Sequence, residues 1–161
     1  MADKCQGVDF KCYSLKFENL YPSVLENHFI NTALSMADDF VCNMIEEIKN
    51  KRRLKYFRIH ADGDFYSIGY IKKWLAIMKA CPDSQFYAYT KSHKLVKRLT
   101  LPKNFYLIQS YGGKHDQLID KSKPDAYVFN DLGTLNRQGF INCSDNDMNV
   151  FKGIKIGLIK R

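Results

Sequence analysis

The sequence predicts an α/β fold, with a central, mainly parallel sheet and helices on its flanks. Two observations carry this. Short apolar runs at 56–60, 85–89, 104–109 and 126–129 alternate with segments of helical period. Strands separated by helices read as βαβ units, whose strands lie parallel. The first three runs also share an ending. They lead into His60-Ala61-Asp62-Gly63-Asp64, Thr90-Lys91-Ser92 and Ser110-Tyr111-Gly112-Gly113. Neighbouring parallel strands end on the same side of a sheet, and ligands of open α/β sheets bind beyond those ends. The pattern predicts one polar, glycine-bearing rim.

The elements follow in order. Tyr21-Pro22-Ser23 reads as a turn that starts a helix through Val24, Leu25, Phe29, Ile30 and Leu34. Short polar side chains at 35–39 offer a second helix start. Phe40, Val41, Met44, Ile45 and Ile48 then recur at helical spacing. A basic run, Lys49 to Arg53, closes that helix, where cations complement its dipole. After the first strand, Ser67 caps a helix carrying Tyr70, Ile71, Trp74, Leu75 and Met78, and Pro82-Asp83-Ser84 stops it. Trp74 reads as core, and His28, with no partner nearby in sequence, as structural. A short helix is expected over 93–99.

The length of 161 residues predicts one domain over 1–161. A hydrophobic share of 45% with 26% charged residues excludes a disordered chain. No apolar run is long enough for a membrane span, and the first five residues hold no apolar stretch for a secretory signal. An intracellular protein without a membrane partner is expected. Five cysteines, at 5, 12, 42, 81 and 143, show no Cys-x-x-Cys spacing, so reduced thiols are expected rather than a disulfide framework. There is no Gly-x-Ser-x-Gly elbow and no His-Glu-x-x-His pair. The net charge of +8 favours an anionic partner: nucleic acid, a nucleotide or an acidic protein surface. The plainer reading is a basic, solvated surface.

The rim offers specific chemistry. Strand alternation places Arg58 and His60 on one face. Arg58 and Lys91 would hold an anion, while His60, Asp62 and Asp64 form the candidate catalytic group, with the carboxylates orienting the imidazole or acting as base. Tyr89, Ser92, Ser110, Gly112, Gly113 and Asp116 complete the candidate ligand-binding set, the glycines because they let backbone approach a ligand. The Gly-Gly pair lacks the spacing of a phosphate-binding P-loop. The structural alternative stands beside this: a tight turn at Asp62-Gly63-Asp64, Ser92 as a helix cap, and a polar network holding strand ends together.

Arg58-Ile59-His60, Gly63-Asp64-Phe65-Tyr66, Tyr70, Trp74, Phe86 through Ser92, and Ser110-x-Gly112-Gly113 with Asp116 together resemble the bacteriophage gene product 88 family. Cys12-Tyr13 and Tyr21-Pro22-x-Val24 resemble its N-terminal region. The likeness runs from Cys5 to Cys143, and Arg58 to Ser92 is its specific part. It implies a phage-encoded protein of unestablished activity, acting in the host cytoplasm, with a layout similar to partial α/β barrels of the radical-SAM type. Those hold an iron–sulfur cluster on three cysteines. Here the available thiols are Cys5, Cys12 and Cys143; Ser14 replaces the alanine of the family's Cys-Tyr-Ala, and 150–158 has no cysteine. A reduced or lost cluster is the expectation. Two functions then compete. One is a phage accessory protein that binds or acts on a nucleotide or nucleic-acid-related target through the rim. The other is a non-catalytic inhibitor that binds a host defence protein or nucleoprotein complex.

Overall fold

The computed structural model describes residues 13–51 and 55–160. Three helices come first: α1 (Tyr13–Leu20), α2 (Pro22–Met36) and α3 (Phe40–Asn50). Strands and helices then alternate: β1 (Tyr56–Arg58), α4 (Ile68–Ala80), β2 (Gln85–Thr90), α5 (His93–Val96), β3 (Phe105–Ser110), β4 (Asp125–Phe129), α6 (Leu132–Arg137), β5 (Ile141–Asn142) and β6 (Lys155–Ile159). A 3₁₀ turn at Asp116–Leu118 lies between β3 and β4, and a 3₁₀ segment at Asp147–Lys152 lies between β5 and β6. No helix among the described residues is long and apolar enough to cross a membrane.

The six strands form one parallel sheet in the order β1-β2-β3-β4-β6-β5, curled into a half-barrel. The expected parallel strands are therefore present. The last two swap places, so β6 pairs with β4 and β5 lies at the edge.

Period-two alternation separates two apolar layers. On the outer face, Phe86 and Ala88 of β2 and Phe105 of β3 meet Ile71, Trp74, Ile77 and Met78 of α4, with α3 beyond. On the inner face, Tyr87, Ile108, Ala126 and Ile156 meet Val150, Cys143 and the partly buried Phe151. The helix α4 starts where its cap predicts, with Ser67 Oγ accepting from Tyr70 N at 3.1 Å. Trp74 is core, as expected.

One helix breaks the usual pattern. An apolar helical stripe ordinarily faces the core. In α2 the residues turned inward are His28, Thr32 and Ser35, and its large apolar side chains face outward. Lys73 of α4 holds the end of α2 by donating from Nζ to the carbonyls of Ser35, Met36 and Ala37 at 2.7–3.1 Å. A cation there also meets the negative end of the helix dipole.

Candidate functional site

The rim carboxylates act first as braces. Asp64 Oδ1 accepts from Phe65 N and Thr90 Oγ1, both at 2.7 Å, and Oδ2 accepts from Lys91 N at 2.8 Å. This clamps the loop after β1 to the end of β2. Ser92 adds to the clamp by donating to the Phe65 carbonyl at 2.7 Å, so its side chain does not cap α5. Asp116 accepts from Gly112 N at 2.8 Å and Gly113 N at 2.9 Å. Its Oδ1 lies 3.6 Å from His93 Nε2, which donates to the Ser110 carbonyl at 3.1 Å. His93 is 1% exposed, and burial pushes its pKa down.

The two glycines admit a side chain of the same chain, that of Lys91. Gly112 has φ +87, a conformation that L side chains rarely adopt. A Cβ on Gly113 would lie 3.0 Å from Lys91 Cβ, so the lysine stem lies across the glycine loop.

His60, Asp62 and Asp64 line one cleft of about 90 Å³, together with His28, Tyr66 and Tyr70. His60 Nε2 is 3.2 Å from the Tyr70 hydroxyl. His28 has partners: Nδ1 contacts Glu18 Oε1 at 2.7 Å and Nε2 lies 3.8 Å from Asp62 Oδ2. Sequence proximity could not show this, because its partners come from another helix and from the loop after β1.

Arg58 does not join that cleft, which corrects the expectation that it shares a face with His60. β1 ends at Arg58 and the chain bends at Ile59, so alternation stops one step early. His60 packs on Phe65 and Tyr70 on the helical side. Arg58 turns to the inner face, where Nη1 donates to Asp147 Oδ2 at 3.0 Å and Nε donates to the His60 carbonyl at 2.8 Å. Its guanidinium also lies over the Tyr89 ring, 5.1 Å from the centroid. Tyr87 donates to Asp147 Oδ2 at 2.8 Å and Tyr89 to Oδ1 at 2.9 Å. Burial, reinforced by that carboxylate, pushes both tyrosine pKa values well up. Asp147 was not marked by any motif, since its partners are far away in the chain.

Cys143 sits beside this cluster. Burial first, then the Asp147 charge, pushes its thiol up to about 11. Metal binding needs a thiolate. Cys5 and Cys12 lie outside the described residues. Among the described residues no three His, Cys, Asp or Glu side chains are grouped to hold a metal ion. Cys143 itself is 3% exposed, on the inner face of the sheet.

A larger opening lies at the opposite, amino-terminal end of the strands. It has a volume of about 520 Å³ and is lined by Lys55, Tyr56, Asp83, Gln85, Lys103, Tyr106 and Phe151. Phe151 is the centre of an aromatic floor, with ring centroids 5.1 Å from Tyr56 and 5.3 Å from Tyr106. Tyr106 is fixed by donating to the Gly153 carbonyl at 2.7 Å. Strand-end reasoning points to the other side of the sheet and misses this hollow. Of the basic run, Lys51 pairs with Glu47 at 2.7 Å, while Arg52 and Arg53 lie outside the described residues.

Two phage proteins resemble the chain over part of its length. The Gene 88 protein of Mycobacterium phage L5 is 29% identical over 90 residues, covering 50% of this chain and 38% of that protein. The Gene 88 protein of Mycobacterium phage D29 is 28% identical over 90 residues, with the same coverage. The shared segment thus spans well under half the length of these relatives. No solved structure matches. The family described as Gene product 88 matches residues 1–153, including the whole rim and the half-barrel through β5. On that match the chain belongs to the gene product 88 family of bacteriophage proteins.

Proposed function

We propose that this protein is a phage accessory protein that binds a nucleic-acid-related anion, and that binding rather than catalysis is its task. The observation that supports this best is the hollow at the amino-terminal end of the sheet, where Lys55 and Lys103 flank the Tyr56–Phe151–Tyr106 floor. Bases stack on aromatic faces whatever their sequence, and lysines neutralise the backbone beside them. A volume of about 520 Å³ falls within the roughly 300–1,000 Å³ of small-molecule sites. The His60 cleft, at about 90 Å³, is far smaller. Asp64 has its oxygens engaged by three donors and makes a poor general base.

The strand-end rim is the second location for the same anion, through Lys91 and the exposed Lys94 and Lys114. Fluorescence anisotropy with labelled single-stranded and duplex DNA and RNA, over a salt series, tests both. Lys55→Ala with Lys103→Ala should weaken binding at low salt and flatten the salt slope by about two, since each phosphate contact contributes roughly one. Tyr56→Ala should weaken single-strand binding more than duplex binding. Loss through Lys91→Ala and Lys114→Ala instead would move the contact to the rim. No retention of any nucleic acid at low salt would overturn the proposal and leave a host protein as the target.

A further inference from the structure

The outward face of α2 is the largest feature that the proposed function leaves unused. Leu25, Phe29, Ile30, Leu34 and Met36 are all exposed, Phe29 at 68%. Phe17 and Leu20 extend the face onto α1, which packs beside α2. The inward side of α2 is polar and already satisfied. Ser35 Oγ bonds Tyr66 at 2.8 Å, Thr32 Oγ1 bonds the His28 carbonyl at 2.7 Å, and His28 bonds Glu18. The helix is therefore amphipathic with its apolar side to solvent. Scattered exposed apolar residues are ordinary, but a contiguous patch of this kind marks an interaction surface.

We infer that the α1–α2 face pairs with the same face of a second copy of this chain, giving a twofold dimer whose contact is a four-helix bundle. Area supports this. With Tyr21 between the helices, eight large apolar side chains on 17–36, each about half exposed, present on the order of 800 Å², the share one partner contributes to a standard interface. Charge supports it too. The chain carries +8, so two copies repel across most surfaces. Between Pro22 and Met36 the only acidic residue is Glu26, and there is no Lys or Arg. The same lack of cations argues against a lipid surface, which attracts helices with basic polar faces. Helices from two copies that meet by their apolar faces also form a standard bundle. A twofold contact needs only one self-complementary patch, which this face provides.

Sedimentation velocity on the full chain tests the inference. Wild type should sediment as a dimer at micromolar concentration. Phe29→Glu with Leu34→Glu should be monomeric, with an unchanged far-ultraviolet circular dichroism spectrum, because both side chains are exposed. Met36→Glu is a separate probe should the double variant misfold. Mixing the Glu double variant with Phe29→Lys and Leu34→Lys should restore a heterodimer, which pairing with any other surface would not do. A wild type that stays monomeric overturns the inference, as does a dimer that survives all these charges. Co-sedimentation of a monomeric wild type with phosphatidylserine-containing vesicles, lost in the Phe29→Glu, Leu34→Glu variant, would assign the face to lipid instead.

Discussion

The Tyr89 hydroxyl donates to Asp147 Oδ1 at 2.9 Å although 58 residues separate them in the chain. Tyr87 and Arg58 take the other oxygen, so one carboxylate from the 3₁₀ segment gathers donors from both β1 and β2. The inner face is thereby tied to the segment that covers it.

Asp147→Ala should lower stability by about 1–3 kcal/mol, the cost of leaving buried donors unsatisfied. The Arg58 contact adds little, because both of its partners are partly solvated. Asp147→Asn keeps one acceptor and should lose less. Urea unfolding of the two variants checks the order; an Asp147→Ala variant as stable as wild type would mean that the carboxylate's bonds to the tyrosines contribute nothing.

Asp64→Asn should also act on stability, by about 1–3 kcal/mol, because an amide has one acceptor oxygen where three donors converge. Thermal melting is the readout. Unchanged melting together with lost ligand binding would return Asp64 to the role of a site residue.

Gly157→Ala should destabilise by about 1–3 kcal/mol through overpacking. A Cβ there would lie 2.5 Å from both Cγ and Cδ1 of Leu135, which is fully buried on α6. Combining it with Leu135→Ala should recover part of the loss, measured as a double-mutant cycle.

Stability should fall at both ends of the pH range. Burial lowers the His93 pKa in the fold, so the unfolded chain takes up that proton first and stability drops as pH falls below about 6.5. Asp125 works the other way: burial raises its pKa, so it favours the fold at still lower pH, near and below the ordinary carboxylate range. At the alkaline end, Tyr70, Tyr87, Tyr89, Tyr106 and Tyr111 are all pushed up by burial. The unfolded chain ionises its tyrosines first, and stability should fall as pH rises above about 10. Urea midpoints across pH check both limbs. His93→Gln should flatten the acid limb near neutrality, and Tyr89→Phe should reduce the alkaline one.

Much of the fold could be read locally. Gln85–Thr90 and Phe105–Ser110 carry the alternation of strands, and Ser67 marks a helix start by its own hydrogen-bonding chemistry. The two-residue β5 is too short to show a period. β6 is not legible because Gly157 interrupts its apolar run just where Leu135 needs space. The site was harder. His60, Asp62 and Asp64 meet because they are neighbours in one loop. Asp147 reaches Arg58 across 89 residues, which no spacing rule reports. The hollow combines residues from four segments, each unremarkable alone. The outward stripe of α2 has the right period and the opposite orientation, because polar partners on Glu18, Asp62 and Tyr66 claim its other side.

The order β4-β6-β5 has a consequence for a chain made from its amino terminus on the ribosome. β5 is synthesised before β6, but among the described residues β6 is its only strand partner, and β6 must first lie along β4. The far edge of the sheet therefore closes from the last strand backwards. Until residues 155–159 have left the exit tunnel, Ile141 and Asn142 have no strand to join and β4 offers an open edge. A nonsense codon in 155–159 would undock two strands rather than one, and the Asp147 segment would then be held only by its contacts to the first three strands.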